Sequence, residues 1–231
     1  YYLAAATLQD GRVLALGGYV NAAQSTVYAY TPGTDTWATV APLPAARYGL
    51  AAATLQDGRV LALGGHDGSS AQSTVYAYTP GTNTWATVAP LPAARYYLAA
   101  ATLQDGRVLA LGGNGNATVY AYTPGTDTWA TVASLPAVRD SAGATVALDG
   151  RVLEIGGLVS STAQSTVYAY TPGTDTWATV APLPAGRSNP GAATLQDGRV
   201  LAIGGTGATT VYALDVRVPG RDPLIGWLAS R

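Results

Sequence analysis

The chain has 231 residues, a net charge of −1 from 12 basic and 13 acidic side chains, one histidine, and no lysine, cysteine, methionine or phenylalanine. The lack of any basic excess or cluster argues against nucleic acid as a partner, and no apolar run reaches the ~20 residues of a membrane-spanning helix. Without cysteine there is no disulfide, thiolate metal site or thiol nucleophile.

Repetition dominates the rest. A Gly pair falls at 17–18, 64–65, 112–113, 156–157 and 204–205; "DGR" falls at 10–12, 57–59, 105–107, 149–151 and 197–199; an arginine falls at 47, 95, 139, 187 and 231. These marks divide one domain, 1–231, into five units: 1–47, 48–95, 96–139, 140–187 and 188–231. In the second unit, "YGLAAATLQ" reads as a first strand of small residues, and "DG" as a hairpin turn of type I′ with positive φ at both central positions. "RVLALGG" is a second strand, apolar on both faces and therefore expected to be buried on both. "STVYAYT" is a β-branched and aromatic third strand, "PGTNT" a turn and "WATVAPL" a fourth strand. No segment shows helical periodicity. Four-stranded units at a period in the forties predict an all-β fold, a five-bladed β-propeller.

The phrase "TPGTDTW" at 31–37 returns at 79–85 (with Asn83), 123–129 and 171–177. It reads as the turn between strands three and four plus a tryptophan beginning strand four. Trp37, Trp85, Trp129 and Trp177 are expected in or beside blade interfaces. In the last unit the phrase becomes "VPGRDPL", Leu224 takes the tryptophan position, and Trp227 is expected to fill the gap.

Taken together, the arginine, "DGRVLALGG", the tyrosine strand and the turn before tryptophan resemble the kelch repeat, and the bacterial kelch-like form most closely. The resemblance covers nearly the whole chain and weakens at 213–230. It implies a galactose oxidase/kelch-like propeller in which the Gly pair, Tyr and Trp are structural and loops on one face bind a ligand or protein. Kelch propellers commonly have six or seven blades, whereas five units are present here. Strand one opens the first unit and strand four closes the last, so contacts between the faces of blades one and five would have to shut a ring.

Strand alternation puts the loops after the Gly pair and the starts of strand one at a common end, the top, and "DG" and "PGTDT" at the bottom. The bottom loops are nearly identical among units; the top loops are not. They contain Tyr19, His66, Asp67 and Asn114 after the Gly pairs, and Tyr2, Tyr48, Tyr96, Tyr97, Asp140 and Asn189 at the starts of strand one. A copied framework with one diversified face suits a scaffold presenting a binding surface, and drift of unconstrained loops produces the same pattern. Tyrosines favour the first reading, being enriched at interfaces. Arg47, Arg95, Arg139, Arg187 and Arg231 fit two roles: hydrogen bonding to neighbouring loops, or a rim that binds carboxylates.

Chemistry finds little support. His66, Asp67 and Ser69 are too close in sequence for a triad, which is recognised by spatial roles. One histidine and sparse carboxylates exclude a histidine-rich metal centre and disfavour calcium. The kelch resemblance raises copper-radical oxidases, which need a Cys-linked Tyr that this chain lacks, and sugar mutarotases, whose arginine and acidic groups Arg47, Asp140 and Glu154 could imitate. No cofactor is implied. The sequence therefore points to a non-catalytic binding module for a protein segment or glycan on an extracellular or cell-surface protein. A structural repeat of an extracellular assembly and a mutarotase-like enzyme on the same face are the alternatives.

Overall fold

The computed structural model describes residues 1–215 and the backbone of a short strand, Leu228–Ala229. The expectations for Leu224, Trp227 and Arg231 lie outside the described residues. Five four-stranded antiparallel blades stand in a propeller arrangement. Blade one comprises Ala4–Thr7, Val13–Leu16, Val27–Thr31 and Thr36–Val40. Blade two comprises Ala51–Thr54, Val60–Leu63, Val75–Thr79 and Thr84–Val88, and blade three Ala99–Thr102, Val108–Leu111, Val119–Thr123 and Thr128–Val132. Blade four comprises Gly143–Val146, Val152–Ile155, Val167–Thr171 and Thr176–Val180; blade five has Gly191–Thr194, Arg199–Ile203, Val211–Asp215 and Leu228–Ala229. Within each sheet the strands follow one another in chain order. The chain divides into two compact units, residues 1–102, 106–110 and 120–130 in the first and 103–105, 111–119 and 131–231 in the second.

In the first unit, Leu14, Leu16, Val27 and Ala29 of blade one pack on Val60, Ala62, Tyr76 and Tyr78 of blade two. Leu61, Leu63, Val75 and Ala77 on the opposite face of blade two pack on Val108, Ala110, Tyr120 and Tyr122. The second strand of blade two is thus buried on both faces, as its unbroken apolar run predicts. The alanines of strand one let neighbouring first strands approach. Thr54 Oγ1 donates to Thr7 O at 2.7 Å and Thr102 Oγ1 to Thr54 O at 2.8 Å.

The repeated turn phrase is a staple between blades. Asn83 sits at φ 53°, in the left-handed region that Asn and Asp tolerate. Its Oδ1 accepts from Tyr78 OH at 2.8 Å and from Ala41 N of blade one at 2.9 Å. Trp85 Nε1 donates to the carbonyl of the same Ala41 at 2.8 Å. Asp127 and Trp129 treat Ala89 in the same way. Trp37 departs from the expected interface position. It rests on Tyr30, ring centroids 5.1 Å apart, and is 58% exposed.

In the second unit, Leu153, Ile155, Val167 and Ala169 of blade four pack on Val200, Ala202, Tyr212 and Leu214 of blade five. Thr194 Oγ1 donates to Val146 O at 2.8 Å, continuing the first-strand pattern. Asp175 and Trp177 of blade four hold the N–H and carbonyl of Ala133.

The "DG" hairpins differ from the predicted type I′ turn. Gly11 has φ 85°, but Asp10 does not have positive φ. Gly11 N donates to Leu8 O at 3.0 Å and Leu8 N to Arg12 O at 2.7 Å, the pattern of a type I turn closed by a left-handed glycine. Asp10 is recruited to Arg12 instead: its carboxylate accepts from Arg12 N at 3.1 Å and Arg12 Nε at 2.9 Å. A two-residue loop with positive φ at both positions occurs at Ser160–Ser161, joining Leu158–Val159 to Thr162–Ala163.

The Gly pairs are clasps. Gly65 N donates to Arg95 O at 2.8 Å, and a Cβ on Gly64 would lie 2.5 Å from that oxygen. Gly64→Ala therefore faces both a clash and a strained φ of 58°, and is expected to cost more than about 2 kcal/mol. Gly81→Ala, with open space around it, should change stability by less than about 1 kcal/mol. Urea denaturation compares the two. The same measurement should give about 3 kcal/mol for Trp85→Ala and under about 1 kcal/mol for Trp37→Ala.

Candidate functional site

At the top of the first unit the residue two before strand one takes left-handed backbone in each blade: Tyr2 at φ 56°, Gly49 at 59° and Tyr97 at 56°. Main-chain bonds tie these positions in series, Gly49 N to Tyr2 O at 2.9 Å and Tyr97 N to Gly49 O at 2.7 Å. Tyrosine at positive φ is uncommon and costs energy. Both strained tyrosines point their rings at one another, with centroids 5.2 Å apart. Gly49 makes this contact possible, since a Cβ there would lie 2.8 Å from the Tyr97 ring carbons.

Around that pair the rings form one connected patch. Tyr2 lies 6.3 Å and Tyr97 6.4 Å from Tyr48, Tyr19 lies 5.1 Å from Tyr48, and Tyr96 lies 4.8 Å from Tyr97. His66 bridges Tyr48 at 5.1 Å and Tyr96 at 5.3 Å. Tyr2 and Tyr19 are exposed, and Tyr48, His66, Tyr96 and Tyr97 are half-buried. Burial raises the Tyr48 hydroxyl above its ordinary range, and burial together with the neighbouring phenols pushes Tyr97 up to about 12. At neutral pH both remain uncharged hydrogen-bonding tips on an apolar surface. All six residues were legible individually as top-loop candidates. Their convergence was not, because it needs three blades and the missing side chain of Gly49.

His66 Nδ1 accepts from Gly68 N at 3.0 Å, which leaves Nε2 to carry the proton of the neutral ring. Asp67 is committed to its own loop. One oxygen accepts from Ser70 N at 2.8 Å and Ser69 N at 2.7 Å, the other from Gln72 Nε2 at 2.7 Å. Those backbone donors, Ser70 first, hold the Asp67 carboxyl below the usual range. Neither residue is oriented towards the other as a triad requires.

The arginines turn inward. Arg47 and Arg95 are buried, with guanidinium carbons 6.0 and 5.3 Å from the ring centroids of Tyr76 and Tyr120 in the following blade. Arg47 donates to Thr74 Oγ1 at 2.9 Å and Ala46 O at 2.8 Å. In the second unit Arg139 stands over Tyr168 at 4.9 Å and donates to Thr166 Oγ1; Arg187 stands over Tyr212 at 4.8 Å and donates to its hydroxyl at 2.8 Å. Of the two roles open to them, these contacts are those of hydrogen-bonded braces between blades.

The remaining candidates lie in the second unit. Asp140 accepts from Gly115 N at 2.7 Å, beside Asn114, which has φ 52°. Exposed Asn189 donates to Thr206 Oγ1 at 3.2 Å. Arg47, Asp140 and Glu154, the imagined sugar-processing set, are each committed elsewhere. Glu154 stands where Ala62 and Ala202 stand in their blades, is buried, and lies 3.8 Å from Arg139 Nε. Among the described residues the Glu154 oxygen facing Arg139 has no hydrogen-bond partner, and no cluster of three potential metal ligands occurs.

Burial pushes the Glu154 carboxyl up to about 8, against the opposing pull of Arg139. The folded chain therefore holds a proton that the unfolded chain releases above pH ~4.5. Stability is fully present below that value and is lost progressively as pH rises towards the folded pKa. Glu154→Gln should remove this slope, so that the variant gains on the wild type between pH 5 and 8. Urea titrations at both ends of the window measure it.

Residues 3–205 match the family described as the KLHDC2/KLHL20/DRC7 Kelch-repeats domain. Among curated proteins no match is found. The matched span takes in all five Gly pairs and the four arginine braces, and the chain belongs to the kelch-repeat family of β-propellers.

Proposed function

We propose that this chain is a non-catalytic recognition module that binds a protein segment across the tyrosine patch at the top of blades one to three. The carrying observation is the connected contact of Tyr2, Tyr19, Tyr48, His66, Tyr96 and Tyr97. Membership of the kelch family supports it at the coarse level, since kelch propellers are interaction modules.

Tyrosine suits the task physically. It offers a large apolar area, loses little side-chain entropy on binding, and carries a hydroxyl that satisfies a partner's backbone. The strained backbone at Tyr2 and Tyr97 holds two of the rings in place before a partner arrives, which lowers the ordering cost of association. The buried arginines contribute stiffness below the patch rather than charge upon it.

The test passes the purified chain and its Tyr48→Ser/Tyr96→Ser variant over a combined peptide and glycan array. The chain should bind peptide features, and the variant should lose them by about 30-fold or more with little change in melting temperature. Peptide binding that the variant retains, or binding to glycans alone, would overturn this reading.

A further inference from the structure

Four residues of the patch close a circuit. Tyr48, His66, Tyr96 and Tyr97 follow one another at 5.1, 5.3, 4.8 and, back to Tyr48, 6.4 Å between ring centroids. Successive rings are tilted by 37°, 74°, 53° and 57°. They therefore do not stack into one flat slab, and their faces turn in several directions around a common centre. All four belong to the first unit and are half-buried.

Charge is distributed unevenly at this end of the unit. Among the described residues of the first unit, the charged side chains at the top are Arg47, Asp67 and Arg95; the others belong to the bottom turns. Both arginines are buried and turned to Tyr76 and Tyr120. Asp67 is exposed, so its carboxylate is the side-chain charge that a partner arriving from solvent meets. It adjoins the circuit through His66, and its charge helps to raise the Tyr48 hydroxyl. The pull of Arg47 on Asp67 is weaker than either backbone hydrogen bond that keeps the carboxyl ionised. Three bonds, from Ser69 N, Ser70 N and Gln72 Nε2, fix the group in place and leave about one of its four acceptor sites free. Asp67 thus offers a fixed charge rather than a fork for two parallel bonds. Tilted ring faces beside a fixed negative charge complement a cation that is broad, planar and weakly hydrated.

We propose that the protein segment bound at the patch carries an arginine, whose guanidinium lies over Tyr48, Tyr96 and Tyr97 with Asp67 as its counter-charge. The inference rests on the patch being the binding surface and names the chemistry that it selects. The chain uses the same pairing internally, with guanidinium carbons 4.8 to 6.0 Å from tyrosine centroids in four places. There the cation belongs to the chain; at the patch it comes from the partner. A lysine ammonium is more strongly hydrated and gives up more on meeting the rings, which favours arginine. An acidic segment brings like charge towards Asp67 and towards the electron-rich ring faces.

NMR titration of the full chain tests this with three probes: the capped peptide Gly-Arg-Gly-Arg-Gly, its counterpart with citrulline for arginine, and its counterpart with glutamate. Citrulline keeps the shape of arginine without the charge. The arginine peptide should move the Gly68 amide, which is bonded to His66, and should bind at least about fivefold more tightly than the citrulline peptide. Added salt should weaken the arginine peptide and leave the citrulline peptide unmoved. Asp67→Asn should weaken the arginine peptide about threefold, and a melting curve checks the fold of that variant. The probe and salt comparisons use the unaltered chain and stand without it. Tyr48→Ser/Tyr96→Ser should abolish the binding. Equal affinity for arginine and citrulline peptides, preference for the glutamate peptide, or failure of all three to bind would each overturn the arginine assignment. A neutral or acidic peptide that binds and is lost with Tyr48→Ser/Tyr96→Ser overturns that assignment alone and keeps the patch as the binding surface. Arginine-peptide binding that survives Tyr48→Ser/Tyr96→Ser overturns both.

Discussion

The arginine that ends a kelch unit is held by both halves, and the blade stack depends on that double hold. Its carbonyl is gripped by the Gly pair of its own blade, at 2.8 Å for Arg47 on Gly18 and 2.7 Å for Arg187 on Gly157. Its side chain lies over a tyrosine of the next blade. With its main chain fixed in this way, the guanidinium is aimed at the ring it covers. A cation loses much hydration on burial. The tyrosine face, a threonine hydroxyl and a nearby carbonyl replace part of that loss. Neither contact survives without the other: a side chain at Gly17 would meet the Arg47 carbonyl at 2.4 Å, and a displaced carbonyl would swing the guanidinium off its ring.

The bottom of the blades solves the same problem with different groups. There an Asp or Asn in left-handed backbone accepts the N–H of an alanine in the preceding blade, and the adjacent tryptophan donates to that alanine's carbonyl. The two tyrosines of "VYAYT" divide this work. The first faces the arginine at the top, and the second bonds the Asp or Asn at the bottom, as Tyr76 and Tyr78 show. With blade-to-blade geometry pinned at both ends by backbone and framework side chains, the top-loop side chains add contacts between blades without having to set that geometry. That frees them to differ, so the diversity of Tyr19, His66 and Asn114 is compatible with one rigid frame.

Much of this was legible in the sequence. The period, the four strands and the burial of "RVLAL" on both faces follow from spacing and apolar pattern. The turn chemistry of "DG" did not, because the propensity of the pair for a type I′ loop competes with the carboxylate bond from Asp10 to Arg12, and the latter prevails. For the arginines the sequence left two roles open. The third-strand tyrosine that receives each of them follows 25 or 29 residues later, too far for any local rule to pair them. The patch had its members named one by one, yet its existence rests on Gly49, whose significance lies in a side chain it lacks. Glu154 was visible only as an acidic group that could imitate a sugar-processing site, and its confinement beside Arg139 depends on the neighbouring blade.

Identical sequence in this chain has different physical meaning according to what stands beside it. "VYAYT" is found unchanged in blades one to four. In blades two to four its first tyrosine is core, and in blade one the same tyrosine is surface. The difference owes nothing to local propensity, since strand geometry and cross-strand partners are the same, Tyr30 opposite Trp37 as Tyr78 is opposite Trp85. Burial here is therefore a property of the pair of blades rather than of the repeat alone, and the same side chains serve as core or as surface according to the face set against them.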